Sequence, residues 1–150
     1  MHDSRTVANR FLALAREQGI SLTPMQLIKL VYIAHGWMLG LYGRPLIRDP
    51  VEAWQYGPVI RRLYNAIRKY GARNVTEDIP VDALDVNLTE LEDDLVQQVW
   101  KKYGKKNGVM LSRLTHAPGT PWAQTFAAGE FGTPISQDII ADHYQRLAAP

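Results

Sequence analysis

The sequence predicts a mainly α-helical fold: a compact helical domain around a buried central helix at about 24–42, with one small β-hairpin at about 45–56. Three observations carry this expectation. Apolar residues recur at three- and four-residue intervals through most of the chain, which is the helical period. The stretch Leu27–Tyr42 is apolar almost all round, as a helix covered on every side must be. Between Arg44 and Tyr56 the pattern breaks into short apolar pieces around Pro45 and Pro50. With 150 residues and 46% hydrophobic content, the chain suits one domain spanning 1–150. No repeat, low-complexity tract or linker divides it.

The first helix is expected from about Ser4 to Gln18, capped by Ser4 and stopped by Gly19. The second has the clearest start. Thr23 can accept from orphan backbone donors, and Pro24 fits the first helical position, where its missing N–H costs nothing. Gly43 ends it. Its one poor face holds Gln26, Lys29, Gly36 and Gly40. Two glycines four apart, each costing about 1 kcal/mol in a helix interior, predict a notch for a neighbouring element.

The Asp49-Pro50 step suggests the hairpin turn. Two strands alone are marginal in water, so this hairpin must lean on helices. Gly57 precedes a proline and marks a chain corner; Pro58 then presets a helix running to Tyr70, with Gly71 as its stop. Residues 72–88 read as irregular and acidic. Thr89 with Glu92 is a capping box, opening a helix to about Tyr103 whose core stripe is Leu91, Leu95, Val99 and Tyr103. Shorter helices are expected at 108–116, 121–128 and 136–148.

The charge totals, 17 basic against 15 acidic residues, do not signal nucleic acid by themselves. Zero cysteines exclude a disulfide framework, thiolate metal sites and a cysteine nucleophile, and fit a cytoplasmic location. The N-terminal stretch lacks the pattern of a signal peptide. Leu27–Tyr42 is short for a membrane span and holds Lys29 and His35. A soluble protein with no membrane partner is expected. His2, His35, His116 and His143 show no paired spacing, so no metal and no cofactor are expected. Ser112 and His116 lie four apart, but neither an orienting carboxylate nor a strained nucleophile elbow accompanies them. Asp138 and Asp142 beside His143 read as a solvated face. No catalytic residues, and no enzyme, are expected.

The informative constellation is "EAWQYGPVI", Glu52–Ile60, followed by a helix whose polar side carries Arg61, Arg62, Asn65, Arg68 and Lys69, with Arg73 beyond. In an extended strand Trp54 and Tyr56 would share a face. Those rings either cover the central helix and pin the hairpin, or join the arginines in a contact patch, because aromatic and arginine side chains anchor many interfaces. The same basic stripe over 58–73 could instead meet nucleic acid.

The run from Leu22 to Gly71 resembles the Panacea domain, whose members include SocA-like and phage-associated GepA-like proteins. That family's "LQKLLYYAQGWHL"-like helix, "YG.PL" and "IEAW.YGPV" have counterparts at Gln26–Leu39, Tyr42–Leu46 and Val51–Val59. The segment "LTHAPGTPW", Leu114–Trp122, resembles the family's "LTH...PW". The resemblance spans roughly 7–125 and makes Lys29, Gly36, Gly40, Gly57, Pro58, His116 and Trp122 motif positions. Ile28 and Val51 are conservative variants, and His35 stands where Gln is common. The resemblance implies a mainly helical antitoxin that neutralises a cognate protein toxin, encoded nearby, by direct binding. It also implies an adaptor alternative, in which the toxin is delivered to a AAA+ protease. A nucleic-acid-binding autoregulator remains a secondary expectation, and the resemblance supplies no catalytic residues.

Overall fold

The computed structural model describes residues 1–150. Seven helices surround a small antiparallel sheet, in the order α1 (Ser4–Glu17), α2 (Pro24–Tyr42), β1 (Glu52–Trp54), β2 (Gly57–Val59), α3 (Arg61–Ile67), α4 (Glu90–Tyr103), α5 (Gly108–His116), α6 (Pro121–Thr125), β3 (Thr133–Pro134) and α7 (Gln137–Ala148). The expected mainly helical class stands, and α2 is its centre: α1, α4, α5 and α7 all pack on it, α7 most extensively.

Local signals place most helix starts. Thr23 accepts from the Gln26 amide, while the Gln26 side chain reaches back to the Thr23 amide. Thr89 and Glu92 repeat this arrangement at α4. Such reciprocal bonds satisfy two orphan donors at once. At α1 the cap is Asp3 rather than Ser4. The Asp3 carboxylate accepts from the Arg5 amide, and the Ser4 amide donates to Asp49 Oδ2 at 2.9 Å, so two carboxylates serve this helix start. In α4 the core stripe is rotated from the expected one: Leu91 is exposed, and Val96 and Trp100 join Leu95, Val99 and Tyr103 in the core.

The two glycines of α2 form the anticipated notch, and Tyr144 of α7 fills it. A Cβ on Gly36 would lie 2.2 Å from Tyr144 Cε2, and one on Gly40 would lie 2.5 Å from Tyr144 Cβ. The Tyr144 ring also packs edge-on against Trp37, with centroids 5.1 Å apart. Next to Gly36 in the chain, His35 is buried, and its Nδ1 accepts from the amides of Leu46 and Ile47. That acceptor role requires a neutral ring, and burial pushes the imidazole down to about 4.

The hairpin lies further along the chain than expected. Its strands are 52–54 and 57–59 and its turn is Gln55–Tyr56, not Asp49-Pro50. Pro58 therefore sits in a strand, and the helix begins at Arg61 and ends in a 3₁₀ turn, Arg68–Tyr70, before Gly71. Proline is tolerated there because the strand order β2-β1-β3 leaves β2 at an edge, where its missing N–H breaks no ladder bond on the outer side. The residues preceding β1 serve other ends: Leu46 and Ile47 are buried, and Ile47 bridges to His2. The third strand, Thr133–Pro134, pairs with β1 across 80 residues of chain and had no local signal. No helix is long and apolar enough to cross a membrane.

Candidate partner-binding face

The sheet and α3 open a cleft of about 730 Å³ toward α1, into which Arg5, Arg48, Arg61 and Arg62 converge with Asp49, Glu52 and Asn65. Each guanidinium is held by a carboxylate. Arg5 pairs with Asp3 at 2.7 Å, Arg48 with Asp85 at 3.4 Å, Arg61 with Glu52 at 2.7 Å, and Arg62 with Asp49 at 3.2 Å. The pairs are layered. The side chains of Arg48, Arg61 and Arg62 are 47%, 47% and 55% exposed, while those of their partners Asp85, Glu52 and Asp49 are 4%, 12% and 5% exposed; Arg5, on Asp3, is mostly covered. The anions lie beneath and fix the forks, while the Arg48, Arg61 and Arg62 side chains remain about half open to solvent.

Glu52 shows how firmly one fork is set. Its carboxylate accepts from Arg61 Nε at 3.0 Å, Arg61 Nη2 at 2.7 Å and Trp54 Nε1 at 3.0 Å. Burial works to raise this carboxyl, yet the hydrogen bonds from Arg61 and Trp54 prevail and hold it below its ordinary value. At Asp3 the Arg5 hydrogen bond outweighs burial in the same direction.

An aromatic flank adjoins the cleft. The Trp54 ring meets Tyr64 and Phe131 with centroids 4.9 and 4.8 Å apart, and the Arg61 guanidinium stands 5.3 Å over both Trp54 and Phe131. Phe131 is 69% exposed and Tyr56 is 67% exposed. Trp54 and Tyr56 do not share a face. The strand ends at Trp54, so Tyr56 belongs to the turn and points to solvent, whereas Trp54 is half-buried. Of the expected contact residues, Arg61, Arg62 and Asn65 line the cleft and Trp54 borders it. Arg68 and Lys69 lie on the following 3₁₀ turn and are not among the cleft's lining residues. Lys69 Nζ sits 5.4 Å over the Tyr70 ring.

The remaining motif residues support this face from behind. Lys29 is buried and its Nζ donates to the Pro58 carbonyl at 2.7 Å. Gly57 has φ of 118°, a backbone conformation that favours glycine, and a Cβ there would lie 3.0 Å from Lys29 Nζ. Ser112 Oγ donates to the Tyr56 carbonyl at 2.7 Å and lies 3.3 Å from His116 Nδ1. His116 packs on Trp122, whose Nε1 donates to the Trp54 carbonyl at 2.5 Å. The Ser112–His116 pair thus braces the hairpin turn. Sequence reasoning missed Arg5, Arg48, Asp49, Glu52 and Phe131; only Glu52, inside the motif, carried a local signal.

Burial pushes the Lys29 amine down to about 7 from its ordinary 10.5. Between those values the unfolded chain binds the extra proton, so stability rises with pH across this interval. The expected result is a melting temperature that climbs from pH 7 to about pH 9.5, before tyrosine ionisation in the unfolded chain opposes it. Lys29→Met should flatten the climb; an unchanged slope in that variant would assign it elsewhere.

The model of the antitoxin SocA-like, Panacea domain matches residues 27–123. Antitoxin SocA of Caulobacter vibrioides (strain NA1000 / CB15N) is 32% identical over 157 residues, a match covering 95% of this chain and 82% of that protein. No solved structure matches the chain.

Proposed function

The chain belongs to the SocA-like Panacea family of antitoxins, and from that premise we propose that it neutralises a nearby-encoded protein toxin by direct binding at the arginine cleft and its aromatic flank. In this reading it performs no catalytic step. The observation that carries the proposal is the layering of the cleft. Buried carboxylates hold the guanidiniums in place, so a partner's acidic side chains meet preorganised donors, and little side-chain entropy is lost on contact. Trp54 and the exposed Phe131 and Tyr56 supply adjoining apolar area of the kind that anchors interfaces.

Co-expression with the adjacent small reading frame tests the proposal. The neighbour should arrest growth alone, growth should return when this protein is present, and the two should co-purify at fixed stoichiometry. Rescue with steady toxin abundance supports neutralisation by binding. Rescue with falling toxin abundance would point to delivery to a AAA+ protease instead, and a harmless or still-toxic neighbour would remove the antitoxin–toxin pairing.

A further inference from the structure

A second recess, of about 520 Å³, lies between α2, the α4–α5 corner and α7, and shares no lining residue with the arginine cleft. Tyr32, Trp37, Tyr103, Tyr144 and the ring of His143 line it, together with residues of the end of α5 and the α5–α6 connection between Leu114 and Pro121. Trp37 Nε1 donates to Tyr103 Oη at 3.2 Å, which fixes both rings. The Lys102 ammonium stands 5.4 Å over Trp37 and 5.3 Å over Tyr103, and Lys106 also borders the recess. No aspartate or glutamate lines it. Burial, with Arg146 second, holds His143 below its ordinary pKa, so near neutral pH the ring favours its uncharged form.

The decisive feature is Tyr32. It is 1% exposed and lines this recess, and its hydroxyl has no hydrogen-bond partner. Leaving a buried hydroxyl unpaired costs roughly 1–3 kcal/mol, and native structures keep few such groups without a reason. A tyrosine serving only to fill the core would do better as phenylalanine. The volume lies within the range typical of small-ligand sites, which combine apolar walls with a few placed polar groups.

We propose that this recess binds a small planar aromatic anion carrying a second polar group. The ring packs against the partly open Trp37, the acid group meets Lys102 and Lys106, and the polar substituent pairs with the Tyr32 hydroxyl. The site is separate from the toxin-binding reading and stands or falls without it.

The probe is 6-hydroxy-2-naphthoate, titrated into the full-length protein while the indole N–H resonances are followed by NMR, Trp37 being assigned through Trp37→Phe. Saturable movement of the Trp37 resonance is expected. Lys102→Glu and Tyr32→Phe should each weaken binding about tenfold, and 2-naphthol, which lacks the carboxylate, should bind at least about tenfold more weakly. Ligand-free Tyr32→Phe should melt no lower than the parent, which separates loss of a ligand contact from loss of fold. Absence of saturation at millimolar probe, equal binding of 2-naphthol, or unchanged affinity in both variants overturns the proposal.

Discussion

Tyr144→Ala is expected to destabilise the protein by roughly 3–5 kcal/mol, the range for emptying a buried aromatic site, against a total stability of about 5–15 kcal/mol for a domain. The ring is where α7 locks onto α2, set between Gly36 and Gly40 and edge-on to Tyr32 and Trp37. The glycines give the sharper version of the test. In an ordinary helix interior, Gly→Ala stabilises by about 1 kcal/mol. Here the sign should invert, with each substitution costing about 1–3 kcal/mol through overpacking. The two sites differ in what they meet. The nearest atoms to a Cβ on Gly36 all belong to the Tyr144 ring, whereas one on Gly40 meets Tyr144 Cβ and its backbone carbon at 2.8 Å. In the Tyr144→Ala background, Gly36→Ala should therefore become neutral or stabilising while Gly40→Ala stays costly. Urea unfolding of the double-mutant cycle reads this directly. A neutral Gly36→Ala in the parent would mean that α7 does not seat in the notch.

That notch was legible because a pair of helical glycines four apart is a local pattern with few structural uses. The same holds for the reciprocal caps at Thr23 and Thr89, where both partners lie within three residues. The hairpin position was not, for a physical reason. Asp49-Pro50 carries a strong turn signal, but the Asp49 carboxylate is engaged by the Ser4 amide and Arg62, contacts that exist only once α1 and α3 have packed. The cleft hides for the same reason. Arg61 and Arg62 stood out in the sequence as a basic stripe, yet their carboxylate partners come from Asp3, Asp49 and Glu52, set 59, 13 and 9 positions from the arginines they meet. Phe131 gains its place beside Trp54 because β3 pairs with β1, a long-range register that no short window of sequence contains.

Arg62→Gln and Trp54→Ala are expected to separate binding from folding. The Arg62 side chain is more than half exposed, and surface ion pairs of this kind contribute about 0–1 kcal/mol, so Arg62→Gln should barely move the melting temperature. Toxin affinity should nonetheless fall about tenfold or more, mainly through slower association, and the loss should shrink at high salt. The neutral residue is the better choice over Arg62→Glu, because a carboxylate there would face Asp49 and Asp3, both buried. Destabilisation from that repulsion would masquerade as lost binding. Trp54→Ala acts on the other side of the balance. Its ring holds Tyr64 and Phe131, its indole steadies Glu52, and β1 loses its main packing side chain. A cost of about 2–3 kcal/mol is expected, below the fully buried aromatic case because the site is partly open. Melting temperature measured beside toxin neutralisation distinguishes the roles. If Arg62→Gln binds as the parent does, while Trp54→Ala melts normally and fails to neutralise, then the aromatic flank is the contact surface and the arginine cleft merely holds α3 against α1.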